Sequence, residues 1–420
     1  MHIREYLSRE AQRISERSLS GIANAEAWRT SLPQRRAKFL QMMGVDELLD
    51  KASQTPLNVT VTGVVERDGY RIEKLYYQSL PNLYVSANLY VPQPLEQPTA
   101  GVLYVCGHSE SQKFHYQAHP RRFAQLGFVC LIVDSIWGGE VRGYHHGCYS
   151  EGWFNWYSRG YTPAGIELLN GSRGLDVLCA RDEVDSTRLG VTGISGGGAA
   201  TWWIAAGDER IACAATVCGT AGLGSQIRDR TIDGHCDCMW FINTGLWDYP
   251  DVGALIAPRP LLIANADADT IFEIRSVRAL FEKLRKLYDM LGAGNHVQLL
   301  EYAGPHSYSP LARKTIFSWF LKHLMGREVA PEEIADVDER PEVQESDETL
   351  TVFVSGQLPD DLTPRVHEEV LRPVAPPSAE SQSDVPRLRR ELAEALRADT
   401  FAHFPDLAPP LSIEVTQQLA

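Results

Sequence analysis

Gly190-Val191-Thr192-Gly193-Ile194-Ser195-Gly196-Gly197-Gly198 is the stretch on which the reading of this chain turns. It reads as a short strand, a serine held between glycines as Gly193-x-Ser195-x-Gly197, and then a small, apolar helix over residues 196–206 with Trp202, Trp203 and Ile204 to pack. A serine on so sharp a strand-to-helix turn projects its hydroxyl from a strained backbone that leaves little room for neighbours. Glycine on both flanks relieves that crowding. The following helix points its N-terminal amides at the serine. The plain alternative is a glycine-rich turn in an ordinary βα unit, so the surroundings have to decide.

Upstream, residues 164–180 set Leu168, Leu169, Leu175, Leu178 and Cys179 on one helical face, and 188–192 follow as a strand. The serine therefore sits at a strand's carboxyl end. From Gly101 onward, apolar strands at 102–105, 129–133, 189–192, 212–217, 261–265 and 297–302 alternate with helices. That alternation predicts an α/β fold, a mostly parallel sheet with helices on both faces. Before it, Val59, Val61, the alternating segment 70–77, a turn at Pro81-Asn82 and the run 83–91 predict an antiparallel entry to the sheet. A closing helix over 311–324 brings Ile316, Trp319, Phe320 and Leu324 to the core.

Three regions follow from this pass. Residues 1–57 read as an N-terminal helical extension with an apolar cluster at Phe39, Leu40, Met42, Met43, Leu48 and Leu49, and 58–330 as the catalytic unit. Residues 331–420 read as an acidic linker and a C-terminal segment, with a charged helix over 387–397. Leu32-Pro33, a helix and Pro56-Leu57-Asn58-Val59-Thr60-Val61-Thr62 at the front are matched by Val385-Pro386, a helix and Pro410-Leu411-Ser412-Ile413-Glu414-Val415-Thr416 at the back. Either the tail opens a second, related module or the match is chance.

Composition bounds the function. With 420 residues, 44% of them hydrophobic, the chain can bury a large core. The N-terminus is charged throughout, no stretch approaches membrane-spanning length, and the expected location is the cytoplasm. A net charge of -14 disfavours nucleic acid as partner, although residues 327–350 alone hold ten acidic and two basic residues. A small-molecule substrate is expected, no membrane partner is, and homo-oligomerisation is left open. Eight cysteines without a secretion signal read as reduced thiols. His235-Cys236-Asp237-Cys238 superficially looks like a metal site, but no second Cys/His pair stands at zinc-ligand spacing, so a structural or pocket-lining role is expected and no metal.

A serine hydroxyl is a weak nucleophile that needs a base, and the base needs a carboxylate to orient it. His306, in Gly304-Pro305-His306-Ser307, follows the last strand and emerges at the same sheet edge as Ser195. After the strand 261–265 stand two aspartates, Asp267 and Asp269. The order Ser, Asp, His is that of the α/β-hydrolases, whose acid is followed two residues later by an apolar position, and this favours Asp269. Asp267 reads as a turn cap. The oxyanion hole should take its donors from the amide of Gly196 and from Gly107 or His108, which leave the strand 102–105 at a glycine. His108, His115, His119, His145, His146 and His235 fall in loops that border the expected pocket. The long, aromatic loop before residue 164 supplies Trp153, Trp156 and Tyr161 as candidate substrate-binding residues, with His235 beside them.

Over about residues 58–325 the sequence resembles bacterial α/β-hydrolases of the acetyl xylan esterase-like, or prolyl-oligopeptidase-like, esterase family. The resemblance is carried by Gly107-His108, the run 164–178 leading to Gly193-Ile194-Ser195-Gly196-Gly197, Gly234-His235-Cys236-Asp237-Cys238-Met239, Ala257-Pro258-Arg259-Pro260-Leu261-Leu262, and Asp269 with Ile271-Phe272. It implies a Ser, Asp, His mechanism without metal or organic cofactor. Glu273 stands where the family commonly has proline. The expected function is a serine carboxylic-ester hydrolase working through an acyl-enzyme on acylated oligosaccharide or other small esters. The alternatives are an oligopeptidase, for which residues 1–57 are too short to form a large gating domain, and a non-catalytic interaction protein of the same fold.

Overall fold

The computed structural model describes residues 2–354, 358, 360–370, 379 and 381–404. One sheet of nine strands organises residues 1–372. Its strands are β1 (Thr60–Arg67), β2 (Tyr70–Leu80), β3 (Leu83–Pro92), β4 (Thr99–Val105), β5 (Val129–Val133), β6 (Val184–Ile194), β7 (Ile211–Val217), β8 (Leu261–Ala266) and β9 (Val297–Tyr302), in the spatial order β1-β2-β3-β5-β4-β6-β7-β8-β9. The first three run antiparallel to their neighbours, and the remaining six are parallel. Each strand predicted from hydrophobic pattern is present, including the antiparallel entry. The parallel strands β4, β5 and β8 are buried from end to end, as expected of strands covered on both sides.

Successive residues of a strand point to opposite faces, and β4 shows what lies on each. Leu103 packs beneath Gly171 and Gly174 of a long helix, whereas the ring of Tyr104 lies 5.2 Å from that of His119 on a different one. The N-terminal region supplies α1 (Ile3–Arg17), α2 (Ala25–Met43) and α3 (Asp46–Ser53). The helix bearing His119 is α4 (Ala118–Gln125); a short α5 (Asn155–Ser158) then precedes the one over Leu103, α6 (Pro163–Cys179). The remainder of the core uses α7 (Gly196–Gly207), α8 (Leu223–Arg228), α9 (Tyr249–Gly253), α10 (Ile274–Met290) and α11 (Pro310–Met325). Phe123 of α4 meets Phe317 and Phe320 of α11 edge-on, forming one layer. Gly253 of α9 lies against Trp202 of α7 and Leu284 of α10 in the other.

The N-terminal helices are built into that second layer. Phe39, Met42 and Met43 of α2 are buried, and the Arg36 guanidinium donates to the carbonyls of Ala206 and Leu255 while pairing with Glu209 at 2.5 Å. The acidic stretch expected to behave as a linker is also packed. Ile334, Val337, Leu350 and Val352 are buried, Arg313 pairs with Asp336, and Arg121 donates to the carbonyls of Asp338 and Val343. Charge predicted a solvated tether, but a few apolar residues scattered among the charges find the core, and the arginines facing the segment fasten its backbone.

A second fastening lies deeper. Lys113 is fully buried between Asp134 (2.5 Å) and Glu140 (2.6 Å), and Glu140 also accepts the amides of Val352 and Phe353. A buried ammonium is tolerated only when paired and hydrogen-bonded in this way.

Residues 373–420 form a separate unit, whose described part contains the helix Val385–Ala395. Pro386 opens that helix, whereas Pro33 lies in the middle of α2. The second half of the proposed repeat, 410–416, falls outside the described residues.

Candidate active site

Ser195 follows β6 without an intervening residue and precedes α7, at φ 58° and ψ -119°. Its amide donates to the Val217 carbonyl at 2.9 Å, which ties the turn to the neighbouring strand and holds the left-handed conformation in place. The flanking glycines are steric necessities, because a Cβ on Gly193 or on Gly197 would stand 2.2 Å from the carbonyl oxygen of Val105. Gly196 opens α7, so its amide has no acceptor within the helix and is free to meet a developing negative charge.

The two candidate acids have separate tasks. Asp267 accepts the amide of Gly304 at 2.9 Å and so joins the loops after β8 and β9. Asp269 accepts His306 Nδ1 at 2.8 Å with one oxygen, and the amides of Ile271 (2.7 Å) and Phe272 (3.0 Å) with the other. Burial opposes ionisation of Asp269, but the bond from His306 and the two amides outweigh it and hold the carboxyl below its ordinary range. For His306, burial opposes the charged ring. The Asp269 hydrogen bond and the adjoining Cys218 sulfur outweigh that effect and raise its pKa to about 9. Tyr302 donates to the Ser307 carbonyl at 2.6 Å and sets the loop from which His306 projects.

Ser195, Gly196, His306, His108 and His235 line one cleft of about 540 Å³. The sequence did not single out Tyr116, Thr231, Met239, Thr270 or Ser307, which also line it. They carry no pattern that would have marked them. A slightly larger cleft, about 600 Å³, lies where α1, α8 and α10 meet. Arg228 pairs there with Asp229 and Arg275 with Glu273, Lys283 donates to the carbonyls of Ser15 and Ser18, and it holds neither histidine nor cysteine. The smaller cleft is the one that brings Ser195 and the histidines together.

His108 keeps an edge open to the cleft while the rest of its ring is crowded by Trp137 and His145. That burial, then the nearby His146, His235 and His306, lower its pKa to about 4. A Cβ on Gly196 would come within 2.4 Å of its Cε1, so the imidazole lies directly over the elbow. His235 is likewise lowered to about 4 by burial, then by His306, and it packs on Phe272.

The aromatic loop is a different matter. Trp156 and Tyr161 are 1% and 2% exposed and pack edge to face, and Trp153 stacks on His367 at 4.9 Å. None of the three lines the cleft; His146 is the residue this loop contributes. Trp and Tyr suit sugar stacking and core packing equally, and here packing on one another and on His367 claims them. A second correction concerns the thiols: Cys236 and Cys238 are joined in a disulfide, whereas the other six cysteines are free. Glu273, the departure from the family pattern, holds φ at -61°, the value a proline would take, and caps α10 by accepting the amides of Arg275 and Ser276.

No family model matches the chain. Among solved structures, Methylesterase BT1017 is similar over 92% of this chain and 81% of its own, with a TM-score of 0.66 at 21% identity. The fold is that of the α/β-hydrolases. In this fold Ser195 follows β6, Asp269 follows β8 and His306 follows β9. The acetyl xylan esterase of Paenibacillus sp. R4 is similar over 74% of this chain and 99% of its own, with a TM-score of 0.53 and 18% identity. A glucuronoyl esterase of Solibacter usitatus covers 72% of this chain and 95% of its own at a TM-score of 0.55 and 16% identity. By sequence, the curated protein "Putative hydrolase YtaP" of Bacillus subtilis (strain 168) is 23% identical over 305 residues, 69% of this chain and 99% of its own. Among the described residues, no helix is long and apolar enough to cross a membrane.

Proposed function

We propose that this chain is a serine carboxylic-ester hydrolase whose catalytic work is done by residues 58–330. The observation that carries the reading is a serine at positive φ, on a strand-to-helix turn, sharing a cleft with a histidine whose Nδ1 is held by a buried aspartate. With Nδ1 engaged by Asp269, Nε2 of His306 takes the proton of the Ser195 hydroxyl as the oxygen attacks the ester carbonyl. The amide of Gly196, with that of Gly107 or His108, receives the charge that develops on the carbonyl oxygen. His306 then returns the proton to the departing alcohol, leaving an acyl-enzyme that water hydrolyses by the same path in reverse.

The substrate class assigned is a small ester, with acylated or esterified carbohydrate first. Support comes from the structural neighbours, whose names span methylesterase, acetyl xylan esterase and glucuronoyl esterase. A cleft of about 540 Å³ lined by His235, Phe272 and Met239 accepts a group of sugar size. The test is a panel of acetyl, longer acyl and methyl esters, with peptide amides beside them, using Ser195→Ala as the blank. Turnover of esters over amides, lost in the blank together with fluorophosphonate labelling, supports the reading. Ester turnover that survives in Ser195→Ala overturns it.

A further inference from the structure

Four side chains from three distant stretches converge beside the elbow. His108 comes from the loop after β4, His145 from the loop after β5, and Cys236 and Cys238 from the segment between α8 and α9. One donor atom from each lies within 4.8 Å of all the others. His108 Nε2 is 3.2 Å from Cys236 Sγ and 3.4 Å from Cys238 Sγ, and the His108 and His145 rings stack at 5.0 Å. His145 is 2% exposed, and its Nε2 has no hydrogen-bond partner among the described residues. A buried ring nitrogen without a partner is costly unless something is meant to occupy it.

We propose that reduction of the Cys236–Cys238 disulfide converts this cluster into a four-ligand site for a thiophilic divalent cation of the zinc class, held by His108, His145, Cys236 and Cys238. A dithiol reductant delivers two electrons and two protons to the sulfur–sulfur bond, giving two thiols and the oxidised, disulfide form of the reductant. The cation then binds two thiolates and two neutral imidazoles, and two protons leave to solvent. Two thiolates neutralise its charge, which suits a site where three of the four ligands, His145, Cys236 and Cys238, are buried. Two imidazoles with two thiolates are also the donor set that favours tetrahedral zinc.

The backbone already clamps the ligand-bearing loops. Asp237 donates its amide to the His145 carbonyl at 3.0 Å and accepts the Cys148 amide at 2.7 Å, while Trp203 Nε1 donates to the Cys238 carbonyl at 3.0 Å. Such outer contacts fix the orientation of metal ligands. The open edge of His108 provides an entry path from the cleft. Four protein ligands leave no position for water, so the cation acts as a structural clamp that holds His108 over Gly196 and takes no part in bond making. The proposal stands on the cluster alone and is independent of the esterase reading.

The test uses the full chain, reduced with a dithiol, desalted without oxygen and titrated with cobalt(II). The expected result is one cobalt per chain, with the visible bands of a tetrahedral site and a thiolate charge-transfer band. Zinc should displace it, and the unreduced chain should show neither band. Cys236→Ser and His145→Ala, checked for fold by circular dichroism, should each weaken uptake more than about tenfold. Absence of stoichiometric cobalt binding after reduction overturns the proposal. So does uptake of equal strength and spectrum in the unreduced chain or in the folded variants. Should the variants fail to fold, the reduced and unreduced native chains decide the matter by themselves.

Discussion

Ser195, Asp269 and His306 stand one, three and four residues past the ends of β6, β8 and β9, whereas His145 and the Cys236–Cys238 pair sit on loops far from any strand end. The first side of the cleft is placed by the sheet, over a lever arm too short to drift. The second is placed by contacts between loops that are more than a hundred residues apart in some pairings, such as His108 with Cys236. Groups hung from strand ends are fixed by local geometry, and so a variant there should change chemistry and leave the fold intact. Groups held by loop contacts are fixed by packing, and variants there should change stability or binding first.

The largest expected effect falls on the strand-end side. Ser195→Ala should cut ester turnover by on the order of 10⁴-fold or more with an unchanged melting temperature. Next, Asp269→Asn should cost about 10⁴-fold in kcat, because the wrong tautomer of His306 is held, while Asp267→Asn should cost less than about tenfold. Kinetics on both variants check this, and a reversed ranking would make Asp267 the orienting acid and break the geometric assignment.

The loop side should answer differently. Trp156→Ala empties a buried site and should lower stability by about 3–5 kcal/mol in urea titrations, with KM little changed in whatever folds. His235→Ala, which faces the cleft, should instead raise KM and cost less stability than Trp156→Ala. If Trp156→Ala changes KM and not stability, the aromatic loop belongs to substrate after all.

Smaller effects come from titration. Burial raises the Glu167 carboxyl, on α6, to about 8. The folded chain keeps a proton that the unfolded chain releases, so stability falls as pH rises from about 4.5 to about 8. Glu167→Gln should remove that fall, gaining on the order of 4 kcal/mol at pH 8 relative to pH 4, as measured by urea midpoints. His306 works in the same direction at higher pH. Its pKa is raised above 6.5, so its contribution to stability is full below that value and is lost as pH rises through about 9. Catalysis needs the neutral ring, hence kcat/KM should climb up to about pH 9 and level off. In Asp269→Asn the rise should move toward the ordinary histidine range.

The same division explains what could be read from the chain. Period-2 and continuous apolar runs are local, and all nine strands followed from them, as did the elbow, whose glycines answer a local steric demand. His306 followed from its place after the last strand, and Asp269 from the α/β-hydrolase order and the apolar position two residues on; the two side chains meet at 2.8 Å. Trp153, Trp156 and Tyr161 did not, because an aromatic residue carries no mark of whether core or ligand will cover it. The segment 331–354 misled by its charge, since the few apolar residues that bind it, Ile334, Val337, Leu350 and Val352, are spaced too widely to form a period. The union of His108, His145, Cys236 and Cys238 had no signature, as each pairing spans a different stretch of chain.

Glu140 gives the molecule a mechanical property. Its carboxylate is gripped by the amides of Val352 and Phe353 on one side and by Lys113 on the other, five residues before His145. A pull applied at residues 352–353 therefore reaches the buried Lys113–Asp134 pair through that carboxylate.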